Sequence, residues 1–582
     1  YLQQQVAQGE DDASSDASSA SEYSLTSADD SVDAVSIYSA LCYTSAGELS
    51  VQPDHEGAVD GLRIIPLLRW DVENTPSVST ASGSQPARFG GFLNDIDMWD
   101  AQFFGISQAE AVFTEPFQRL LMTTTYSVLT LGGESISSAL GSHRSVVVGI
   151  SAAEYADIVG HFGGSTISPY AALAGSLNVA CGRLSYIFGY NGPCLSVDTI
   201  CSASLISTHL SSRMLVHDEC ESALVGGVSI MLVSAPHSVL VVSNMLASDG
   251  RCKTLDQSAD GYVRAEACGV VEMEPATEYA HVALSAVCGS AANQDGRSSS
   301  LTAPNGPSQQ AAIRSAIGVA SVRAEQYEHL EMHGTGTSLG DPIEVGAATA
   351  VLLSPSLQRG PLVLCAAKAN YGHGEASAGV LNVVHAVVGT SHARSCPINS
   401  LRTVNPYVAE TMRVTGKTTA PREPVAALST SPDCSVTGIS AFAFQGSNGH
   451  VLLGTVDDET AHTRSERTSW SKEWSWVAPR AHPLCNLAMV RSRKVHVHTF
   501  LQCNILAYLW DHRVNARAII PSTLSIEMAS VISHTMLSSS DASSLLSLAD
   551  ITVMSSMIAS TEEHTLAFAL RVQTAEYEHR SL

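Results

Sequence analysis

Positive charge is scarce in this chain. Its 582 residues include 31 Lys and Arg against 56 Asp and Glu, a formal net charge of -25. Such an acidic chain lacks the electrostatic footprint of a nucleic-acid binder and has little attraction for anionic membranes. The thirteen cysteines form no C-x-x-C pair and no Cys/His cluster at zinc spacing, so no metal site is expected. There is no N-x-S/T sequon. A reducing, cytoplasmic setting is the simplest reading. No signal peptide is visible. The chain begins at Tyr1 rather than Met, so it reads as an excised segment and an organelle is not excluded. One long run, 222–248, has no Asp, Glu, Lys or Arg. Gly226, Gly227, Pro236, His237 and many serines interrupt it. It therefore reads as a buried strand, a loop and a second buried segment, not a membrane span.

What is present is a large apolar fraction, 45%, with 15% charged residues. That suits a big globular protein of several domains. Residues 1–32 are rich in Ser, Asp and Glu, lack Lys and Arg, and read as a disordered linker. From Ser145 onward, β-branched runs alternate with helical patterns. SVVVGIS, LSVDT, SALVGGVSIML, EHLEMHG and PLVLCAAKAN read as strands. SLNVACGRLSYIFG, SASLISTHLSSRMLVH, PSQQAAIRSAIGVA, PIEVGAATAVLL and EASAGVLNVVHAVVGT read as helices. The alternation is that of an α/β protein with parallel strands, in two βαβ-rich halves. Residues 458–481, with three tryptophans in TSWSKEWSWVAPR, read as a linker. Residues 482–582 form a last segment.

Cys201 stands where a strand gives way to a helix, in SVDTICSASL. A helix N-terminus offers free N–H groups and partial positive charge, which predicts a lowered thiol pKa and an oxyanion site. The alternative is a small core cysteine. Two more stretches, EMHGTGTSLGDPIE and KANYGHGEASAG, place His333 and His373 beside glycines just after strands, where open α/β sheets gather their ligand sites. GTGTSLG lacks the spacing of a dinucleotide fingerprint. Thr335 and Thr337 put hydroxyls on the same loop.

Taken in order, RFGGFLNDIDMWDAQFFGIS, ACGRLSYIFGYNGPCLSVDTICSASL, DGRCKTLDQSADGYVRAEACGVV, GSAANQDGRSSSLTAPNGPSQQAAIRSA, EMHGTGTSLGDPIE, KANYGHGEASAG and SAFAFQGSNGH resemble the ketosynthase domain of modular polyketide synthases. The resemblance covers residues 33–457. It implies a thiolase fold, two halves in αβαβα layers. It implies that Cys201 is the acyl-carrying nucleophile and that His333 and His373 assist malonyl decarboxylation. Lys368 matches the lysine that supports the second histidine. Thr335 and Thr337 match hydroxyls that hold a phosphopantetheine arm, and the N–H groups of Phe444 and Cys201 match the oxyanion hole. The implied chemistry is decarboxylative Claisen condensation with malonyl-carrier protein. It needs no bound cofactor, because the substrates ride on the phosphopantetheine of acyl carrier protein. A non-elongating, gatekeeping or scaffold module is the alternative. The resemblance also implies a homodimer, and the absence of an acyltransferase before residue 482 implies a separate one. Departures are Ile200 where the family has a small residue, Gly374 where threonine is usual, Gln445, Gly449, the TEPFQRLLM block and the first strand region. The last segment, with AYLWDHRVNARAIIP, resembles the first half of a dehydratase. That implies a partial hot-dog-like α+β segment with His512 as its catalytic histidine.

Overall fold

The computed structural model describes residues 35–51, 60–66, 69–70, 72, 88–162, 168–276, 283–353, 361–426, 435–456, 470–476, 487–491, 494–500, 513–514, 517–520, 557–558 and 565–571. The linker expected over 1–32 and the dehydratase-like His512 lie outside the described residues.

Twelve strands share one sheet: β1 (Val35–Thr44), β2 (Gly47–Ser50), β3 (Arg144–Gly149), β4 (Cys194–Val197), β5 (Ser222–Ser229), β6 (Ala267–Pro275), β7 (Ser285–Gln294), β8 (Tyr327–Glu331), β9 (Leu362–Cys365), β10 (Thr418–Thr419), β11 (Val436–Phe442) and β12 (Ser447–Gly454). The order is β10-β9-β8-β11-β12-β7-β1-β6-β5-β3-β4, with β2 paired to β1. From the centre outward the two halves read β1-β6-β5-β3-β4 and β7-β12-β11-β8-β9. Leaving aside the short β2 and β10, each runs first, fifth, fourth, second, third strand. The sheet is mixed rather than all parallel. β3 runs parallel to β4 and β5, and β8 to β9 and β11, whereas β6 and β12 run antiparallel to their neighbours. The short turn between β11 and β12 forces that pair antiparallel.

Among the described residues, the six helices of twelve residues or more are α1 (Pro116–Leu131), α2 (Leu177–Phe188), α3 (Ala203–Val216), α4 (Gly306–Ala320), α5 (Gly340–Leu352) and α6 (Ala378–Ser391). α1 and α2 cover the first half, and α4 covers the second with α5 packed on it. α3 and α6 lie between the halves, touching strands of both. This is the αβαβα arrangement. Its central layer must be apolar all round, and α6 buries eleven of its fourteen residues. The two inner helices meet through small residues. A Cβ on Gly379 would collide with the backbone and side chain of Leu205.

Two local expectations change. β9 ends at Cys365, and Lys368–Tyr371 is a single helical turn. The Ala367 N–H donates to Glu331 Oε1 at 2.6 Å instead of extending a strand ladder. The second part of 222–248 is a short helix, Ser234–Val242, with Val239 and Val242 exposed. Only one of its residues, His237, is buried, because two turns of helix present a single narrow stripe inward. The expected linker is described at 470–476, where it is laid along the body. Glu473–Trp474 pairs with Met98–Trp99, Trp470 stacks on Phe104 at 5.8 Å, and the Ser475 carbonyl accepts from Arg119.

In the last segment, 487–491, 494–500 and 565–571 form one antiparallel sheet, and 513–514, 517–520 and 557–558 another. No helix among the described residues is long and apolar enough to cross a membrane. The ten cysteines whose surroundings are described are free thiols.

Gly379→Ala is expected to destabilise the protein by roughly 1–3 kcal/mol, the range for overpacking a tight core. The urea midpoint of the variant against wild type measures it.

Candidate active site

Cys201 lies in a 3-10 turn, Ile200–Ser202, that runs directly into α3. Ile200 holds this turn at φ 52°, a left-handed value that costs a β-branched residue about 1–3 kcal/mol. Its N–H donates to Asp198 Oδ1 at 3.1 Å, and the Thr199 and Ser202 hydroxyls meet at 2.9 Å, so the turn is held from both sides.

His373 precedes α6 as Cys201 precedes α3. Its N–H donates to the Val263 carbonyl at 2.8 Å, and its own carbonyl accepts from Ala265 N–H at 2.9 Å. Its Nδ1 accepts from the Glu375 N–H at 3.1 Å. That bond assigns the ring proton to Nε2, which is buried and has no partner among the described residues. Glu375 accepts from Arg264 through Nε at 2.7 Å and Nη2 at 3.0 Å. At Gly374, where the family often has threonine, an added Cβ would meet the Ser377 hydroxyl, so that side chain occupies the space threonine would claim.

His333 follows β8. Its ring stands edge-on to His373, with centroids 5.6 Å apart, and tilted against Phe442 at 5.8 Å. The loop after it is anchored by buried carboxylates. Glu344 accepts from His333 N–H at 2.7 Å and Gly334 N–H at 2.9 Å. Asp341 accepts from Gly336 N–H at 3.1 Å and Leu255 N–H at 2.8 Å. Gly336 has φ +76°, and a Cβ there would strike the backbone at Cys252 and Lys253. The Thr335 and Thr337 hydroxyls come within 3.3 Å of each other.

These residues share one cavity of about 310 Å³, lined by Cys201, His333, Thr335, Thr337, His373 and Phe444 among others. The Phe444 backbone N–H reaches the Cys201 thiol, as does the thiol's own N–H. Lys368 does not line the cavity. It is 1% exposed, its Nζ has no hydrogen-bond partner among the described residues, and Glu331 and Glu344 lie near it. Of the residues the sequence singled out, Cys201, His333, His373, Thr335, Thr337 and Phe444 therefore converge, and Lys368 lies outside the cavity. Glu344, Asp341, Glu375 and Arg264 were missed. The only signal was their place inside the conspicuous blocks.

The electrostatics differ from the sequence expectation at one point. Burial pushes the Cys201 thiol up to about 12, with Glu375 adding to the rise, and this outweighs Lys368 and the two N–H groups. The turn before α3 is too deep for the helix end to set the balance. Burial and then Lys368 hold both histidines well below the usual imidazole value. Burial also lowers Lys368, against the pull of Glu331 and Glu344. The unliganded site therefore pairs a neutral thiol with neutral imidazoles.

The profile of the "Beta-ketoacyl synthase, N-terminal domain" matches residues 57–278, and that of the "Beta-ketoacyl synthase, C-terminal domain" matches residues 284–401, together more than half of the chain. The chain belongs to the β-ketoacyl synthase family, whose members are acyl-transferring condensing enzymes. Its ketosynthase is of the polyketide synthase kind. It is 37% identical over 408 residues to polyketide synthase GfsA of Streptomyces halstedii, covering 68% of this chain and 5% of that protein. It is 36% identical over 392 residues to erythronolide synthase EryA2 of Saccharopolyspora erythraea, covering 65% of this chain and 10% of that one. The chain thus spans a small part of the curated relatives it matches. Among solved structures, the oxazolomycin ketosynthase domain OzmH KS7 of Streptomyces albus JA3453 superposes with a TM-score of 0.68 at 27% identity, covering 74% of this chain and 75% of that one. The ketosynthase from module 6 of the bacillaene synthase of Bacillus subtilis 168 gives 0.65 at 27% identity, covering 73% and 72%.

Two outcomes follow from this geometry. In the unliganded protein, iodoacetamide alkylation of Cys201 is expected to rise about tenfold per pH unit from pH 7 to 9, since only the thiolate reacts. Peptide-level mass spectrometry reads the rate, and a plateau below pH 8 would restore the lowered thiol. Glu344→Ala strands two buried N–H groups and is expected to cost at least roughly 1–3 kcal/mol in a denaturant titration.

Proposed function

We propose that this chain extends a polyketide by decarboxylative Claisen condensation. The observation that carries the reading is the convergence of the Cys201 thiol, the donor-oriented Nε2–H of His373, the His333 ring and the Phe444 N–H in one cavity.

In the first half-reaction, Cys201 Sγ attacks the thioester carbonyl of an acyl group on carrier protein. The carbonyl oxygen becomes an oxyanion held by the N–H groups of Cys201 and Phe444. The resting thiol must give up its proton for the attack, and that proton ends on the departing phosphopantetheine sulfur, so the exchange needs no net proton. The acyl chain remains on Cys201, and the free carrier departs. In the second half-reaction, the malonyl thioester loses CO₂. Its carbonyl oxygen gains the electron pair as an enolate and takes hydrogen bonds from the neutral imidazoles. Burial keeps those rings neutral and so able to donate without protonating the carbanion. The enolate carbon then forms the new C–C bond at the acyl-Cys201 carbonyl and expels the Cys201 thiolate. Thr335 and Thr337, at the cavity wall, offer hydroxyls to the phosphopantetheine arm.

The partners in this reading are acyl carrier protein, a separate acyltransferase that loads it, and a second copy of the chain. The homodimer rests on family resemblance. It is supported by β4, which pairs on one side only among the described residues and leaves Leu195 exposed. The division into a linker over 1–32, a ketosynthase over 33–457, a linker over 458–481 and a partial dehydratase-like segment over 482–582 rests on sequence resemblance, as does the role of His512. No bound cofactor enters the scheme.

Intact-protein mass spectrometry tests the reading. Wild type incubated with an acyl thioester is expected to gain one acyl mass, and Cys201→Ala none. Addition of malonyl-carrier protein is expected to discharge the adduct as a β-ketoacyl product. His373→Ala is expected to slow that discharge by about 10²–10³, the loss for one oxyanion donor. A stable adduct that malonyl-carrier protein never discharges would establish the gatekeeping module instead.

A further inference from the structure

Two glutamines interlock at the turn that brings Phe444 to the cavity. β11 ends at Phe442 and β12 begins at Ser447. Between them the Gly446 N–H donates to the Ala443 carbonyl at 2.8 Å, and the Ala443 N–H donates to the Ser447 carbonyl at 2.9 Å. Residues 443–446 are thus a β-turn with Phe444 and Gln445 at its corners. The turn bond leaves the Phe444 N–H unused, and Phe442, Ala443 and Phe444 line the cavity with Cys201.

The Gln445 side chain folds back on this turn. Its Oε1 accepts from the Ser447 N–H at 2.9 Å, and its Nε2 donates to the Ser447 hydroxyl at 3.1 Å. The backbone donor fixes which end of the amide is oxygen. Gln294, the last residue of β7, faces Ser447 in the ladder. Its Nε2 donates to the Gln445 carbonyl at 3.1 Å, and its Oε1 accepts from the Asp295 N–H. That N–H also reaches the Gly446 carbonyl at 2.9 Å, and the Asp295 carboxylate accepts from Asn448 Nδ2 at 2.8 Å. Gly446 has φ +97°, and a Cβ there would strike the Gln294 amide oxygen, so the Gln294 side chain fills the space beside the turn. An alanine or glycine at 445 could make neither bond to Ser447. Gln445 is also a position at which the chain departs from the family it resembles.

We propose that Gln445, clasped by Gln294, is a positioning residue that fixes the Phe444 N–H and so pre-forms the oxyanion hole. It rests on the condensing reading given above. Gln445 does not line the cavity and acts only through the turn. An oxyanion donor is effective when its direction is set before charge develops, and a small misplacement of it is costly. The backbone bonds close the turn. The side-chain bonds tie its second corner to β12 on one side and to β7 on the other.

Two reagents that consume the same thiol separate this role from plain access to Cys201. A butyryl N-acetylcysteamine thioester passes through an oxyanion, whereas iodoacetamide is attacked at a saturated carbon and forms none. Both rates are measured in the full chain at pH 8 by mass spectrometry. Gln445→Ala is expected to slow acylation of Cys201 by about tenfold or more, in the saturating rate rather than in the half-saturating thioester concentration. Alkylation of Cys201 is expected to stay within about twofold of wild type, because it needs no oxyanion hole. Gln294→Ala is expected to act in the same direction. The double variant is expected to be no more than about threefold slower than the slower single variant, because the two side chains work as one clasp. Acylation and alkylation slowed alike, or single effects that multiply in the double variant, overturn the proposal. A wild type that alkylates at Cys201 but never acylates strikes the condensing reading and the clasp with it. Equal acylation of wild type and Gln445→Ala strikes the clasp alone.

Discussion

The site depends first on how closely α3 and α6 approach each other. Cys201 is delivered by the turn before one and His373 by the turn before the other. Gly379 lets α6 settle against Leu205 on α3, and the Gly227 and Gly269 positions beneath leave room only for Val380 and Ser204. A side chain at any of these glycines would wedge the layers apart. Two turns that are far apart in sequence would then cease to share a cavity. The apolar packing of the central layer and the chemistry above it are thus one constraint.

Burial then sets the protonation of everything inside. Desolvated by the surrounding protein, the thiol keeps its proton and the imidazoles stay without theirs. Arg264 and Glu375 neutralise each other behind His373, while Glu331 and Glu344 flank Lys368. The carboxylates also accept from backbone N–H groups, which fixes the loops as well as the field.

Much of this was legible in the sequence because the residues that line the cavity sit in short, glycine-marked blocks after strands. Cys201, His333, His373 and the two threonines could be placed together on that basis, as could the layered α/β class. The supporting carboxylates were less legible. A side chain that accepts from backbone N–H groups, as Glu344 does from His333 and Gly334, constrains no residue type at the other end. The direction of the Cys201 shift depends on depth, which no local pattern reports. Lys368 read as strand because LVLCAA is strand-like, yet Glu331 takes the Ala367 N–H and ends the ladder. Trp470 lies in the stretch that reads as a linker, and nothing near it in sequence shows that Phe103, Phe104 and Tyr126 form its seat.

The repeated strand order has a consequence for how such a protein arises. In each half, the chain leaves the third strand and supplies a reactive residue before entering an inner helix: Cys201 after β4, and His373 after β9. A duplicated ancestor would have presented the same corner twice, face to face. Divergence then needed to change only the contents of two equivalent corners, one carrying a thiol and the other an imidazole.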